Sequence, residues 1–188
     1  TLVVAALVVV LLMLLPRTGE VQGEDESEIE NEVSTDYRLD ALNSLSSSER
    51  KTYDEILGRI ENTEDPLQKI DLIDSLSNFW ESKENLLMAA DQLNEIAIII
   101  NDKPSYFIAG DKYYKAFTQL SDDRKKLALE KAIQSYQTVL ELLPDDLEAM
   151  TSLGVCYVEG ASLLGEAPMK GIGMLRKVLE IDPDNINA

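Results

Sequence analysis

The pattern of hydrophobic and polar positions changes twice along the chain. Residues 1–15 carry no charge, and Pro16 ends this apolar run. Residues 17–45 contain nine acids against two arginines and show no apolar periodicity. From Ser46 onward apolar residues recur three and four positions apart, which indicates amphipathic helices. No strand pattern interrupts them, so we expect an all-α domain over residues 46–188.

Start signals divide this domain into successive helices. Ser46 and Glu49 have the spacing of a capping box, and Asp65 before Pro66 is a strong helix start. The pattern then predicts helices over residues 84–101, 105–120, 123–143, 146–159 and 168–182. Two acid pairs, at 122–123 and 145–146, precede helices. We interpret them as helix caps and not as a pair of glycosidase carboxylates.

Three segments place apolar residues four and seven positions after a small one. The small residue permits a close helix crossing, and the larger residues fill the space between neighbouring hairpins. Gly173, two positions after one of the small residues, is also interpreted as a close-packing position. The three segments are Ala89, Leu93 and Ile96; Ala132, Tyr136 and Val139; and Gly171, Leu175 and Val178.

The last unit also carries the motif "MTSLGVCY", which contains Leu153, Gly154 and Tyr157, and its second helix ends at Pro183. The middle unit has Tyr106, Gly110 and Tyr113 in looser form. This combination resembles the tetratricopeptide repeat (TPR) over roughly residues 66–188. The resemblance implies a solenoid of helical hairpins that binds a partner helix or peptide in a groove.

The groove of such a solenoid is lined by the first helix of each hairpin. This face has no set of Lys, Arg and Asn residues of the kind that clamps a chaperone's C-terminal carboxylate in similar repeat domains. The predicted partner-binding residues are Phe107, Asp111, Tyr114 and Lys115 in the middle unit and Glu148, Thr151, Val155 and Glu159 in the last.

Residues 1–16 are interpreted as a transmembrane signal anchor. Fifteen residues of helix cover about 22 Å, less than the roughly 30 Å of a bilayer core. Because the chain opens on Thr1, we expect this segment to be truncated. A cleaved signal peptide remains an alternative, although no A-x-A pattern follows the apolar run. Residues 17–45 are predicted to be an acidic flexible linker on the translocated side.

The phrase "APMKGIGMLRKVLEIDPDN", together with the anchor and linker, resembles the membrane-anchored repeat proteins of Bacteroidota-type bacteria. That resemblance implies a single-pass protein of the bacterial inner membrane with its repeats in the periplasm. The ending "DPDNINA" has the form of a further repeat's beginning, so we expect truncation at the C-terminus as well.

Composition narrows the possible chemistry. Seventeen basic and 35 acidic residues give a net charge of −18, which disfavours nucleic acid as a partner. The chain has no histidine and a single cysteine, Cys156, which excludes histidine-based catalysis, Cys/His zinc sites and an intramolecular disulfide. We interpret Cys156 as a small buried residue. We expect no enzyme activity, cofactor, metal or small-molecule substrate in this segment.

The sequence therefore predicts a membrane-anchored scaffold that binds a protein partner. Two alternatives stay open. The chain could be an accessory or regulatory unit of an envelope enzyme complex whose catalysis lies outside this segment. It could also be a secreted soluble adaptor after signal cleavage.

Overall fold

The computed structural model describes residues 37–165, 167–185 and 188. The predicted transmembrane anchor, residues 1–16, and most of the predicted linker lie outside these residues. Within them the chain is helical and has no strand, so the all-α prediction is confirmed for this part. No helix in the described ranges combines the length and apolar character that a membrane crossing requires.

Residues 37–43 are helical, and longer helices follow. The five helices predicted from residue 84 onward begin and end within two residues of their positions in the structure. The helices are α1 (Ser47–Asn62), α2 (Pro66–Glu81), α3 (Leu86–Ile100), α4 (Lys103–Gln119), α5 (Arg124–Leu142), α6 (Leu147–Glu159), α7 (Ala161–Leu164) and α8 (Met169–Ile181).

Side-chain caps explain where several helices begin. Ser46 and Glu49 form the predicted capping box of α1. The carboxylate of Asp65 accepts the Leu67 N–H at 3.1 Å before α2, and Asp146 accepts the Ala149 N–H at 2.9 Å before α6. These acids occupy N–H groups that a first helical turn would otherwise leave unpaired.

The acid pair before α5 differs from the prediction. Asp123 occupies the N-cap position but makes no side-chain cap hydrogen bond. The carboxylate of Asp122 instead accepts the Arg124 N–H at 3.0 Å and forms an ion pair with the Arg124 guanidinium at 2.5 Å. One acid of this pair therefore satisfies the helix end, and it is the earlier one.

Short connections make consecutive helices pack on each other. The pairs α2–α3, α4–α5 and α6–α8 form three hairpins, while α1 packs on α2 and α3 packs on α4. The single turn α7 lies in the connection between α6 and α8, where the sequence has extra residues. The core runs through the hairpins and includes the fully buried Trp80, Tyr113 and Tyr136.

Each hairpin has a small residue where its helices cross. Ser77 on α2 donates its hydroxyl to the Ala89 carbonyl on α3 at 3.0 Å. A Cβ placed on Gly110 of α4 would lie 2.8 Å from the Tyr136 ring on α5. A Cβ placed on Gly154 of α6 would lie 2.8 Å from a methyl carbon of the α8 residue Leu175. The three hairpins therefore share one mode of close approach.

The predicted packing residues lie along these crossings. Gly171 faces α6, since an added Cβ would be 2.4 Å from the Gly154 carbonyl oxygen. Gly173 is exposed and faces open space, so its interpretation as a close-packing position is wrong. Gly173 comes two residues after Gly171, which is a rotation of about 200° around the helix, so it points away from the crossing of α6 and α8. The buried or half-buried set is Ala89, Leu93, Ile96, Ala132, Tyr136, Val139, Leu153, Gly154, Tyr157, Gly171, Leu175 and Val178.

Residues 37–43 belong to the packed structure and not to a flexible linker. Tyr37 and Ala41 are both buried, and both join the core. They are four residues apart, so they lie on one face of this helical segment. The predicted linker over residues 17–45 therefore does not extend across this segment.

Candidate functional site

An open groove lies between α4 and α6, the first helices of the second and third hairpins. It encloses a cavity of about 490 Å³. Six of the eight predicted partner-binding residues line it. The lining comprises Phe107, Asp111, Tyr114, Tyr136, Leu147, Glu148, Thr151, Ser152, Val155 and Asn185.

Helix periodicity explains which residues face the groove. On α4 the lining positions Phe107, Asp111 and Tyr114 follow the i, i+4, i+7 spacing of a single face. Lys115 is the next residue, about 100° further around the helix. It lies at a different cavity, with its ammonium 3.9 Å from the Glu81 carboxylate. The structure therefore separates Lys115 from the other predicted groove residues.

Polar contacts connect α4 and α6 at both ends of the groove. At one end the Tyr114 hydroxyl donates to the Glu159 carboxylate at 2.7 Å, which places Glu159 at the border and not in the lining. At the other end the Lys103 ammonium lies 2.6 Å from Asp146 and 3.3 Å from Glu148. From Lys103 to Tyr114 a helix rises about 16 Å, which gives the length of the groove.

The floor of the groove is a packed set of aromatic and polar groups. The rings of Phe107 and Tyr136 meet edge to face, with centroids 5.4 Å apart. The Tyr136 hydroxyl donates to Asp111 Oδ1 at 2.6 Å. Burial raises the pKa of Tyr136 well above its ordinary value, and the hydrogen bond to Asp111 raises it further. Tyr136 thus stays a donor that fixes the orientation of the Asp111 carboxylate.

The groove has an acidic character. Asp111 and Glu148 contribute carboxylates, and the ten described lining residues include no lysine or arginine. Burial raises the pKa of Asp111; the Tyr136 hydrogen bond opposes this rise, and the negative charge of Glu148 adds to it. Two like charges therefore face the same groove, which is a condition that a cation would relieve.

A second cavity, of about 580 Å³, lies where the α2–α3 connection meets the end of α4. Its lining includes Lys115, Arg124 and Glu81. The charges here are largely paired within the chain, because Lys112 contacts Glu81 at 2.8 Å and Arg124 contacts Asp122 at 2.5 Å. We therefore take the groove between α4 and α6 as the candidate binding site.

Sequence reasoning missed a buried charged cluster around Asp91 on α3. The Asp91 carboxylate accepts hydrogen bonds from the Tyr37 and Tyr113 hydroxyls and contacts Arg38 at 2.9 Å and Lys131 at 3.1 Å. Burial acts to raise the pKa of Asp91, but Lys131, Tyr37, Arg38 and Tyr113 outweigh it and hold the pKa below its ordinary value. An acid within the otherwise apolar stretch "LLMAADQL" is the signal that could have revealed this cluster.

The nucleophile candidates near the groove are not poised for chemistry. Cys156 is fully buried, as expected, and burial raises the pKa of its thiol to about 12. The Thr151 hydroxyl donates to the Leu147 carbonyl at 2.8 Å within its own helix. These side chains contribute packing and local hydrogen bonds.

Comparisons with known proteins give little beyond this geometry. No family model matches the chain, and no curated protein matches its sequence. Among solved structures, the crystal structure of MamA matches at 16% sequence identity with a TM-score of 0.27, covering 73% of this chain and 89% of that chain. The resemblance of residues 66–188 to the tetratricopeptide repeat therefore depends on their own motif and hairpin packing.

Proposed function

We propose that this chain is a protein-interaction scaffold that binds a helix or an extended segment of a partner protein in the groove between α4 and α6. The observation that carries the proposal is the groove itself. Residues spaced along one face of each of two neighbouring helices enclose a cavity of about 490 Å³ that mixes aromatic, aliphatic and polar side chains. Binding sites typically combine apolar area with a few oriented polar groups in this way.

The dimensions suit a peptide. A length of about 16 Å accommodates roughly five residues of extended chain at 3.3 Å each, or three turns of helix. Phe107, Leu147 and Val155 provide apolar contact area, and Thr151 and Ser152 lie beside them. The Tyr136–Asp111 hydrogen bond keeps the floor in place before a partner arrives, which reduces the entropic cost of binding.

Membrane attachment is the second part of the proposal. Residues 1–16 would hold the chain in the inner membrane of a bacterium, with the helical hairpins in the periplasm. Attachment would raise the local concentration of the scaffold near membrane-associated partners. The uncharged run over residues 1–15 supports this part of the proposal.

A blocking variant tests the groove. A random 12-residue peptide library is selected on the full chain in detergent micelles, and the affinities of selected peptides are measured by fluorescence anisotropy. Val155→Trp fills the groove without changing its charge and should abolish most binding. Ile108→Trp introduces the same bulk at a residue that is 53% exposed and outside the groove lining, and it should bind as the native chain does.

The proposal fails if no peptide binds above background, or if selected peptides bind the Val155→Trp variant as tightly as the native chain. Circular dichroism of both variants establishes that each retains the native helix content. For membrane attachment, carbonate extraction of cell membranes should leave the native chain in the pellet, and a chain lacking residues 1–16 should be released.

A further inference from the structure

We infer that the segment bound in the groove between α4 and α6 presents a lysine or arginine side chain to Asp111, with apolar neighbours against Phe107 and Val155. This inference rests on the proposed peptide-binding function. It adds the chemistry of the partner, which neither the fold nor the repeat motif specifies.

Asp111 lacks a basic partner within the described residues. Its Oδ1 accepts the Tyr136 hydroxyl at 2.6 Å, and the described chain pairs this carboxylate with no lysine or arginine. Glu148, the other acid of the lining, already contacts Lys103 at 3.3 Å. Asp111 is therefore the carboxylate of the groove lining with which a positive charge from another molecule can pair.

In the Asp91 cluster, basic side chains of the same chain pair with a buried carboxylate. There the carboxylate has two cations, Arg38 and Lys131, at 2.9 and 3.1 Å. Asp111 is exposed in the free chain, and a bound segment would remove water from it. A buried carboxylate is costly unless it is paired and hydrogen-bonded. A neutral or acidic segment would leave Asp111 without a counter-charge, and a basic side chain would supply it.

The walls of the groove fit the rest of such a side chain. A lysine or arginine has a long apolar stem with its charge at the end. Val155 and Phe107 offer apolar contact for that stem, and the Phe107 and Tyr114 rings lie along the same helix face as the acid. Aromatic faces attract cations within about 6 Å, as the 5.8 Å approach of Lys103 to the Phe107 ring illustrates.

The test compares Asp111→Asn with Asp123→Asn. Both remove one negative charge, so the general attraction of a basic peptide to an acidic chain is equal in the two variants. Asp123 is exposed, makes no side-chain cap hydrogen bond and lies outside the groove lining. In the Asp111→Asn variant the new amide would still offer a carbonyl oxygen to the Tyr136 hydroxyl, so we expect the fold to be unchanged. Circular dichroism verifies this.

The probe is a set of five-residue peptides, Ala-Leu-X-Leu-Ala, with capped ends, an uncharged fluorophore and Lys, Arg, Gln or Glu at X. On the native chain the Lys and Arg peptides should bind about tenfold more tightly than the Gln peptide, with Glu weakest. Asp111→Asn should remove most of that difference, and Asp123→Asn should retain it. In 0.5 M salt the preference should decrease but keep the same order.

Several outcomes would overturn the inference. Equal affinity of the Lys and Gln peptides for the native chain contradicts it, and so does an equal loss in the two variants that carry asparagine. If the Gln peptide binds as well as the Lys peptide and both are lost with Val155→Trp, the proposed groove is correct and the basic partner is wrong. If no peptide of the set binds and the library also yields none, both proposals fail.

Discussion

Replacing Gly171 with alanine tests how closely α6 and α8 cross. An added Cβ at this position would lie 2.4 Å from the Gly154 carbonyl oxygen and 2.9 Å from the Val158 backbone nitrogen. Ordinary contact begins near 3.4 Å, so the helices would have to separate by about 1 Å (3.4 − 2.4). Two of the nearest atoms belong to the backbone and cannot rotate away.

The expected cost follows from two opposing effects. Overpacking of a tight contact typically destabilises a protein by about 1–3 kcal/mol, and the rigid backbone neighbours place Gly171→Ala near the upper end, at about 3 kcal/mol. Alanine also favours the helix over glycine by about 1 kcal/mol. The net loss is then about 2 kcal/mol, equivalent to a melting temperature lower by roughly 4–8 °C for a chain of this size.

Gly173→Ala provides the matched control. It is the same substitution in the same helix, but nothing lies within 4 Å of the added Cβ. Only the gain in helix propensity of about 1 kcal/mol applies, so this variant should melt roughly 2–4 °C higher than the native chain. The two changes should therefore have opposite signs.

Thermal unfolding followed by circular dichroism measures both variants, and urea titration at room temperature gives the corresponding free energies. If Gly171→Ala is neutral or stabilising, α6 and α8 do not cross at these two glycines. If both variants are destabilising to the same degree, the loss comes from the helix itself and not from the crossing.

Three further results are expected. Because the pKa of Asp91 is lowered in the folded chain, its contribution to stability is present above the unfolded value near 4 and is lost as pH falls from there through the folded value. Asp91→Asn should therefore cost about 2 kcal/mol in urea unfolding at pH 7 and progressively less as pH falls below 4. The buried thiol of Cys156 should react with Ellman's reagent only after unfolding; rapid reaction in buffer would contradict its burial. Ser46→Ala should lower the stability of α1 by about 1 kcal/mol, and Ser47→Ala, which removes no cap, should have little effect.

Local signals explain why the helices could be predicted so closely. Ser46, Asp65 and Asp146 each have a side chain that can cap only the helix directly following it, so the sequence contains the boundary. The start of α4 differs by two residues because Asp102, and not a residue nearer Ser105, provides the cap; its carboxylate accepts the Ser105 N–H at 2.9 Å.

The rotation of a residue around its helix was harder to predict than the helix itself. The pattern groups Lys115 with Tyr114 and Gly173 with Gly171, yet one or two residues change the direction of a side chain by about 100–200°. The motif identifies the small residues at which two helices cross, but not how many neighbouring positions face the crossing. Packing against neighbouring helices decides which positions face it, and that information is not local in sequence.

Long-range pairing was not predictable from the pattern. Asp91 contacts Arg38, 53 residues earlier, and Lys131, 40 residues later. No spacing rule connects such positions. The repeat alignment could nevertheless have been extended, because Ser77 precedes Trp80 by three residues, as Gly154 precedes Tyr157. This shared three-residue spacing predicts that α2 and α3 cross at Ser77.

The Asp91 cluster has a consequence for how the array comes apart. By joining Arg38 to α3, it closes a reversible loop around α1 and α2. Outer elements of stacked arrays normally fray first because they have a neighbour on one side only. Here α1 is held at both ends, because Arg38 before it pairs with the buried Asp91 and α2 follows it, so this side of the array resists fraying. A pull applied to the chain at Tyr37 is transmitted directly to the buried Asp91 in the interior.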